Sequence, residues 1–281
     1  MELTRTIYFI ANDRMYDFTV AFLNSVRAYN PATPLCLIPY DDAVDRVVDL
    51  QTEYAFSVWS DHDALVRCDE IGRHFHGRAV GEYRKLAMWE GPYDQFLYVD
   101  VDTVVLRNLE FVFPYLSDVA FLTSHSNMED LEQWVWKPSI RETGALTEAQ
   151  IRFSANAGFI GSHRGLLSLD YCEAFLEDAL ALAPHMELLC ADQPLLNYFF
   201  VTSGLRYDSL AAIAYRTRQM DLPRERWAGR ATLSVRHGEV TSPRMPPTFL
   251  IHWAGLWRRL EEGCLPYMDL WQFYRDLRAE H

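Results

Sequence analysis

Gln95-Phe96-Leu97-Tyr98-Val99-Asp100-Val101-Asp102-Thr103-Val104-Val105-Leu106 places two carboxylates between residues that want burial. The run 95–99 is short, mostly apolar and rich in aromatic and branched side chains, so it reads as a buried strand ending on the acids. A carboxylate pair held there is costly unless something compensates its charge. A divalent cation bound together with a diphosphate would do so. In open α/β sheets the ligand crevice lies outside the carboxyl ends of the strands, which is where this pair falls. The plain alternative is a strand-ending turn with both carboxylates in water. A second Asp-x-Asp, Asp61-His62-Asp63, stands in polar surroundings and reads as a solvated loop or a helix cap.

Outward from that strand, the pattern predicts an α/β layer with a mostly parallel sheet. Before it come a strand at 5–12 and a helix at 16–29 with Phe18, Phe22, Val26 and Tyr29 on one face, stopped by Asn30-Pro31. A strand at 34–39, an acidic helix at 41–52, a strand at 54–59 and a helix at 82–90 follow. After it the spacing predicts strands at 118–123, 156–162 and 249–252, and helices at 165–183, 192–202 and 266–279. Residues 215–247 read as irregular. Residues 124–152 are long and mixed in charge, with Trp134 and Trp136, and are expected to form a lid or insertion. No repeat or linker forces a cut, so residues 1–281 are read as one domain, with halves of about 1–125 and 126–281.

The composition excludes several partners. A formal charge of −13 argues against nucleic acid and anionic membranes. No stretch is apolar enough to span a bilayer, and the opening residues are expected to run directly into a first strand, reading better as that than as a signal peptide. Five scattered cysteines without a Cys-x-x-Cys pair point to a reducing, cytoplasmic setting. Only two lysines occur among 26 basic residues, Lys85 and Lys137, which draws attention to each.

Several further segments turn the pair into a family resemblance. They are Ile7-Tyr8-Phe9-Ile10-Ala11-Asn12-Asp13 through Tyr16, Tyr83-Arg84-Lys85-Leu86, Tyr98 through Leu109, Asn156-Ala157-Gly158-Phe159-Ile160, Ala191-Asp192-Gln193-Pro194-Leu195-Leu196-Asn197 and Ile251-His252-Trp253-Ala254-Gly255. In order and spacing they resemble the GT-A glycosyltransferases, particularly the retaining family 8 group, over residues 5–258. The resemblance implies a Rossmann-like GT-A fold, with the nucleotide-sugar half first and an acceptor-shaping half after it. It also implies a metal, Mn²⁺ or Mg²⁺, held by Asp100, Asp102 and His252, and a donor groove formed by Ala11, Asn12, Asp13, Tyr16, Lys85, Asp100, Val101 and Arg258. Asn156, Asp192, Gln193 and Lys85 would line the reacting sugar.

Each residue also has a plainer reading. His252 is either a ligand or a hydrogen-bonded core histidine. Lys85 is either the cation facing the phosphates or a solvated helix lysine. Asp192 either faces the sugar or N-caps the helix that Pro194 begins, and Asn156 is either a pocket residue or a strand-edge turn. One or two of Trp134, Trp136, Trp253 and Trp257 are expected as sugar platforms, with the rest in the core.

The expected activity is glycosyl transfer: a nucleotide-diphosphate sugar, UDP-linked by resemblance, gives its sugar to an unidentified carbohydrate, lipid or small-molecule acceptor.

 Retention of anomeric configuration is expected from the same resemblance. Two other readings stay open: a nucleotide-sugar-binding protein of this fold without transfer activity, and a sugar nucleotidyltransferase. The second would want a glycine-rich, basic loop after the first strand, and Ala11-Asn12-Asp13-Arg14-Met15 is not one.

Overall fold

The computed structural model describes residues 3–230, 233–241, 246–256 and 258–277, the side chains of residues 258 and 261 excepted. Strands β1 (Arg5–Ala11), β2 (Leu35–Pro39), β3 (Phe56–Val58) and β4 (Gln95–Val99) run parallel in one sheet. The short β5 (Thr103–Val105) leaves that sheet, and β6 (Phe121–Thr123), β7 (Phe159–His163) and β8 (Tyr207–Ser209) complete it in the order β3-β2-β1-β4-β7-β6-β8. Only β7 runs against its neighbours β4 and β6. A second sheet joins β5 to β9 (Arg224–Trp227) and β12 (Thr248–His252), while β10 (Ser234–Arg236) and β11 (Glu239–Thr241) form a hairpin.

Both faces of the main sheet are covered. Along β1 and β4, Tyr8, Ile10, Phe96 and Tyr98 enter one apolar core, and Ile7, Phe9, Leu97 and Val99 enter the other. This is the period of two expected of a strand buried on both sides, and it explains why the run 95–99 is almost continuously apolar. The helix Tyr16–Tyr29 packs Phe22 and Val26 against the second core, while Phe18 joins a third cluster with Trp253 and Trp271.

Several sequence expectations change in detail. The acidic helix at 41–52 is two single turns, Asp45–Val48 and Gln51–Tyr54. Asp41 holds the preceding residues in a turn, accepting from the Ala43 amide at 3.0 Å and from Asn12 Nδ2 at 2.8 Å. Asp61 is a helix cap: its side chain accepts from Ala64 N at the start of a helix, His62–His76, that closes at Gly77 in the left-handed conformation. The stretch 124–152 folds as three short helices and sends Val135, Trp136, Ile140 and Ile151 into the first core. The stretch 215–247 carries β9, which turns out to matter most for the site. Among the described residues, no helix is long and apolar enough to cross a membrane.

Candidate metal and donor site

Asp100, Val101 and Asp102 form the turn by which the chain passes from β4 into β5, and so from one sheet to the other. The Asp100 amide donates to Gly158 O at 2.9 Å, which prolongs the β4–β7 ladder by one bond. Thr103 Oγ1 donates back to Asp100 O at 2.7 Å and tightens the turn. Val101 is buried in the second core, which turns the two flanking carboxylates away from it.

His252 ends β12, directly opposite Thr103 in the antiparallel register with β5. That pairing delivers the imidazole to the carboxylates. His252 Nε2 lies 3.1 Å from Asp102 Oδ1 and 3.7 Å from Asp100 Oδ2, and one ligand atom from each of the three falls within 4.8 Å of the others. Adjacent ligands of an octahedral ion with bonds of about 2.1 Å stand about 3 Å apart, so the donor set fits a divalent cation. Two carboxylates and one imidazole suit Mn²⁺ or Mg²⁺ better than a structural zinc. Gly158 makes the approach possible: a Cβ there would stand 2.4 Å from His252 Cε1 and 2.7 Å from Asp100 Oδ2.

Behind the ligands lies a buried polar layer. Glu225 on β9 accepts from His252 Nδ1 at 2.7 Å, and Asn156 Nδ2 donates to both Glu225 oxygens, at 2.9 and 3.0 Å. Burial alone would raise the Glu225 pKa, but the His252 hydrogen bond and charge outweigh it and hold the carboxyl below its ordinary range. His252 shows the mirror image: burial disfavours its charge, and Asp102 and Glu225 more than reverse that, raising it well above the usual histidine value. Sequence reasoning missed Glu225, because Arg224-Glu225-Arg226 reads as a solvated charge run.

Lys85 is a buried lysine rather than a solvated one. Its Nζ stands 3.3 Å from both Asp100 Oδ1 and Asp192 Oδ2, and 4.8 Å from the centre of the Tyr98 ring. Burial opposes the charge, and the two carboxylates offset it, so the ammonium is held above its ordinary range. Tyr98, which the sequence marked only as a strand residue, donates to Asp100 Oδ1 at 2.5 Å. Asp192 stands at the N-cap position of the helix Gln193–Thr202, but its side chain makes no capping bond and faces Lys85 instead. Burial pushes its carboxyl up to about 7 against the pull of Lys85.

Gln193 bridges two segments: its Oε1 accepts from Ala157 N at 3.1 Å and its Nε2 donates to Trp134 O at 2.9 Å. Trp134 is exposed, whereas Trp136 and Trp253 belong to the core. At the expected base-binding turn, Asp13 Oδ1 accepts from Val47 N and Asn12 Nδ2 is spent on Asp41. Asn12 Oδ1 is buried and finds no hydrogen-bond partner among the described residues. Ala11 is buried at the end of β1, and Tyr16 lies half-buried under the Arg46 guanidinium, 4.2 Å from its ring centre. β1 and β4 are parallel neighbours, so this turn and Asp100–Asp102 emerge from the same edge of the sheet. Trp257 and the Arg258 side chain lie outside the described residues.

Solved structures of this architecture exist. The chain is similar to the bifunctional glycosyltransferase WbbM, at 14% identity and TM-score 0.62, over 99% of this chain and 50% of that one. It is similar to the galactosyltransferase LgtC, solved in complex with donor and acceptor sugar analogs, at 16% identity and TM-score 0.59, over 98% of this chain and 97% of that one. The glycosyltransferase GlyE of Streptococcus pneumoniae TIGR4 matches at 13% identity and TM-score 0.53, over 99% of this chain and 61% of that one. The chain thus spans half of WbbM, under two thirds of GlyE and nearly all of LgtC. No protein-family model matches the chain, and no curated protein matches its sequence. The fold is that of the GT-A glycosyltransferases, a mostly parallel sheet flanked by helices.

Proposed function

We propose that this protein is a metal-dependent glycosyltransferase that takes a sugar from a nucleotide-diphosphate donor, UDP-linked, and passes it with retention to a hydroxyl of an acceptor. The observation that carries this reading is the convergence of Asp100, Asp102 and His252 at the carboxyl edge of a GT-A sheet. Mn²⁺ or Mg²⁺ bound there would neutralise the diphosphate and stabilise it as it leaves.

The chain's own groups divide the remaining work. Asn12 Oδ1, a buried acceptor without a hydrogen-bond partner among the described residues, fits an N–H of the nucleotide base, with Ala11, Asp13 and Tyr16 shaping the groove around it. Val101 offers its backbone to the donor, since its side chain is in the core. Arg258 supplies a cation for the phosphates. Lys85 keeps its positive charge beside Asp100, where charge develops on the leaving diphosphate. Asp192 and Gln193 face the sugar, and the exposed Trp134, tied to Gln193 through its carbonyl, offers the acceptor a stacking surface.

In the reaction the bond between the anomeric carbon and the diphosphate oxygen breaks, and the acceptor oxygen bonds to that carbon on the face just vacated. The acceptor's proton passes to the departing phosphate oxygen. Five free cysteines fit a reducing compartment such as the cytoplasm. A thermal-shift screen of nucleotide sugars with Mn²⁺ tests the reading, because a ligand that binds the native state raises its melting temperature. A UDP-sugar should give the largest metal-dependent rise; no rise with any nucleotide sugar would overturn it.

A further inference from the structure

The buried layer behind the metal ligands goes beyond the three residues that would touch the ion. Glu225 has a fully buried side chain and three donor nitrogens in reach, making four contacts: His252 Nδ1 at 2.7 Å, Trp227 Nε1 at 3.2 Å, and Asn156 Nδ2 at 2.9 and 3.0 Å from its two oxygens. A buried carboxylate this well satisfied is rigid, and it forces a proton onto His252 Nδ1, leaving Nε2 as the nitrogen that points at Asp102. Asn156 extends the brace to the other side. Its Oδ1 accepts from Gly158 N at 2.9 Å, and Gly158 O accepts from Asp100 N at 2.9 Å. One amide therefore connects the frame of His252 with that of Asp100.

We propose that Glu225 and Asn156 form a positioning pair that presets the metal site, Glu225 by fixing the tautomer and ring orientation of His252, Asn156 by locking Glu225 to the backbone that carries Asp100. Asn156 accordingly acts behind the metal rather than on the sugar. Both hydrogens and the carbonyl oxygen of its amide are engaged within the protein, so it has little left for a substrate. The inference rests on the metal-site reading above.

The test is Mn²⁺ affinity measured by calorimetry on the full chain without nucleotide. Loss of an outer partner of a metal-bound histidine weakens metal binding by roughly 10–100-fold, and that drop is expected for Glu225→Gln and for Asn156→Ala. In Glu225→Gln two NH₂ groups face each other, so the Gln must either clash with Asn156 or turn its carbonyl away from His252. The double variant Glu225→Gln with Asn156→Asp reverses the donor and acceptor across that contact. It should recover most of the affinity, which a merely structural role would not predict. Wild-type affinity in folded Glu225→Gln, or no recovery in the double variant, overturns the proposal. Asp102→Ala separates the two levels: if it also binds Mn²⁺ normally, the metal site itself is wrong. A measurement on the unaltered protein covers variants that fail to fold. With ¹¹³Cd²⁺ bound, nitrogen NMR should show metal coupling at His252 Nε2 and a proton on Nδ1, and coupling at Nδ1 would refute the tautomer assignment.

Discussion

His252 Nε2 stands 3.1 Å from Asp102 Oδ1, although one residue ends the last strand of the second sheet and the other follows β4 of the first. The register of β12 against β5 creates that distance, and the turn at 100–102 supplies the second carboxylate. Asp102→Ala should weaken Mn²⁺ binding by more than the roughly 100-fold that loss of an outer partner gives, and abolish metal-dependent UDP binding. Asp61→Ala, which removes a helix cap that is not part of the cluster, should cost about 1 kcal/mol of stability and leave UDP binding intact. Calorimetry with UDP and Mn²⁺ on both variants decides; equal affinities in wild type and Asp102→Ala would sink the site.

Gly158→Ala tests how tightly the site is drawn. The new methyl would meet His252 Cε1 and Asp100 Oδ2 well inside van der Waals contact, and neither can retreat, because Glu225 and Tyr98 hold them. Overpacking of this kind costs about 1–3 kcal/mol. The expected result is a lower melting temperature together with weaker Mn²⁺ binding. An Ala variant that binds Mn²⁺ like wild type would show that the cluster has more freedom than its distances imply.

Much of this was readable in the sequence, for reasons that differ by residue. The run 95–99 announced a strand buried on both faces, because both cores take alternate residues from it. The pairing of Asp100 with His252 came from motif order, since no local pattern can show a contact made by strand register. Glu225 was hidden because a charged residue between two arginines carries no sign that its strand turns it inward. Asp192 shows another limit: its position before Pro194 suits a helix cap as well as a site residue, and it is the buried Lys85 that its side chain faces.

Lys85→Met should reveal that pairing through pH. Removing the ammonium leaves Asp100 and Asp192 facing each other without it, and breaking a buried pair costs about 3–5 kcal/mol. The Asp192 pKa is already raised to about 7, and loss of Lys85 raises it further. A carboxyl whose folded pKa exceeds its unfolded value binds more protons when folded, so stability is greatest below about pH 4 and falls as pH rises through the folded value. Denaturant midpoints in EDTA should therefore separate wild type and variant more at pH 8.5 than at pH 5.5. The same gap at both would mean that Asp192 stays ionised throughout.

The stretch 124–152 is expected to respond to ligand only at its exposed part. Val135, Trp136 and Ile140 are buried in the core, whereas Glu129 is exposed and Asp130 reaches Arg230 across the surface. Gln193 joins Trp134 to Ala157, donating to the Trp134 carbonyl and accepting from the Ala157 amide. A glutamate-specific protease should cut after Glu129 more slowly once UDP-sugar and Mn²⁺ are bound. A rate indifferent to both ligands would make this stretch a rigid wall of the groove.

Retention is the prediction that turns on Asp192. Were it to attack the anomeric carbon and form a covalent intermediate, it would need to be ionised and free to approach. Instead burial favours its protonated form, and its carboxylate is drawn to Lys85, 3.3 Å away. Gln193 has one lone pair of Oε1 engaged by Ala157 N, and the other is available to steady positive charge on the sugar. These constraints favour attack from the face the diphosphate leaves. Asp192→Asn should then slow transfer only moderately, through its effect on Lys85, with product still of the donor's configuration. The anomeric proton coupling of the product made from an α-linked donor reads the outcome. An α-linked product formed at a rate reduced by less than about 100-fold fits same-face attack, since loss of a covalent nucleophile removes far more, about 10⁴-fold or greater. A β-linked product would instead require a general base beside the acceptor hydroxyl, and would move attention to Glu129, Asp130 and Glu132.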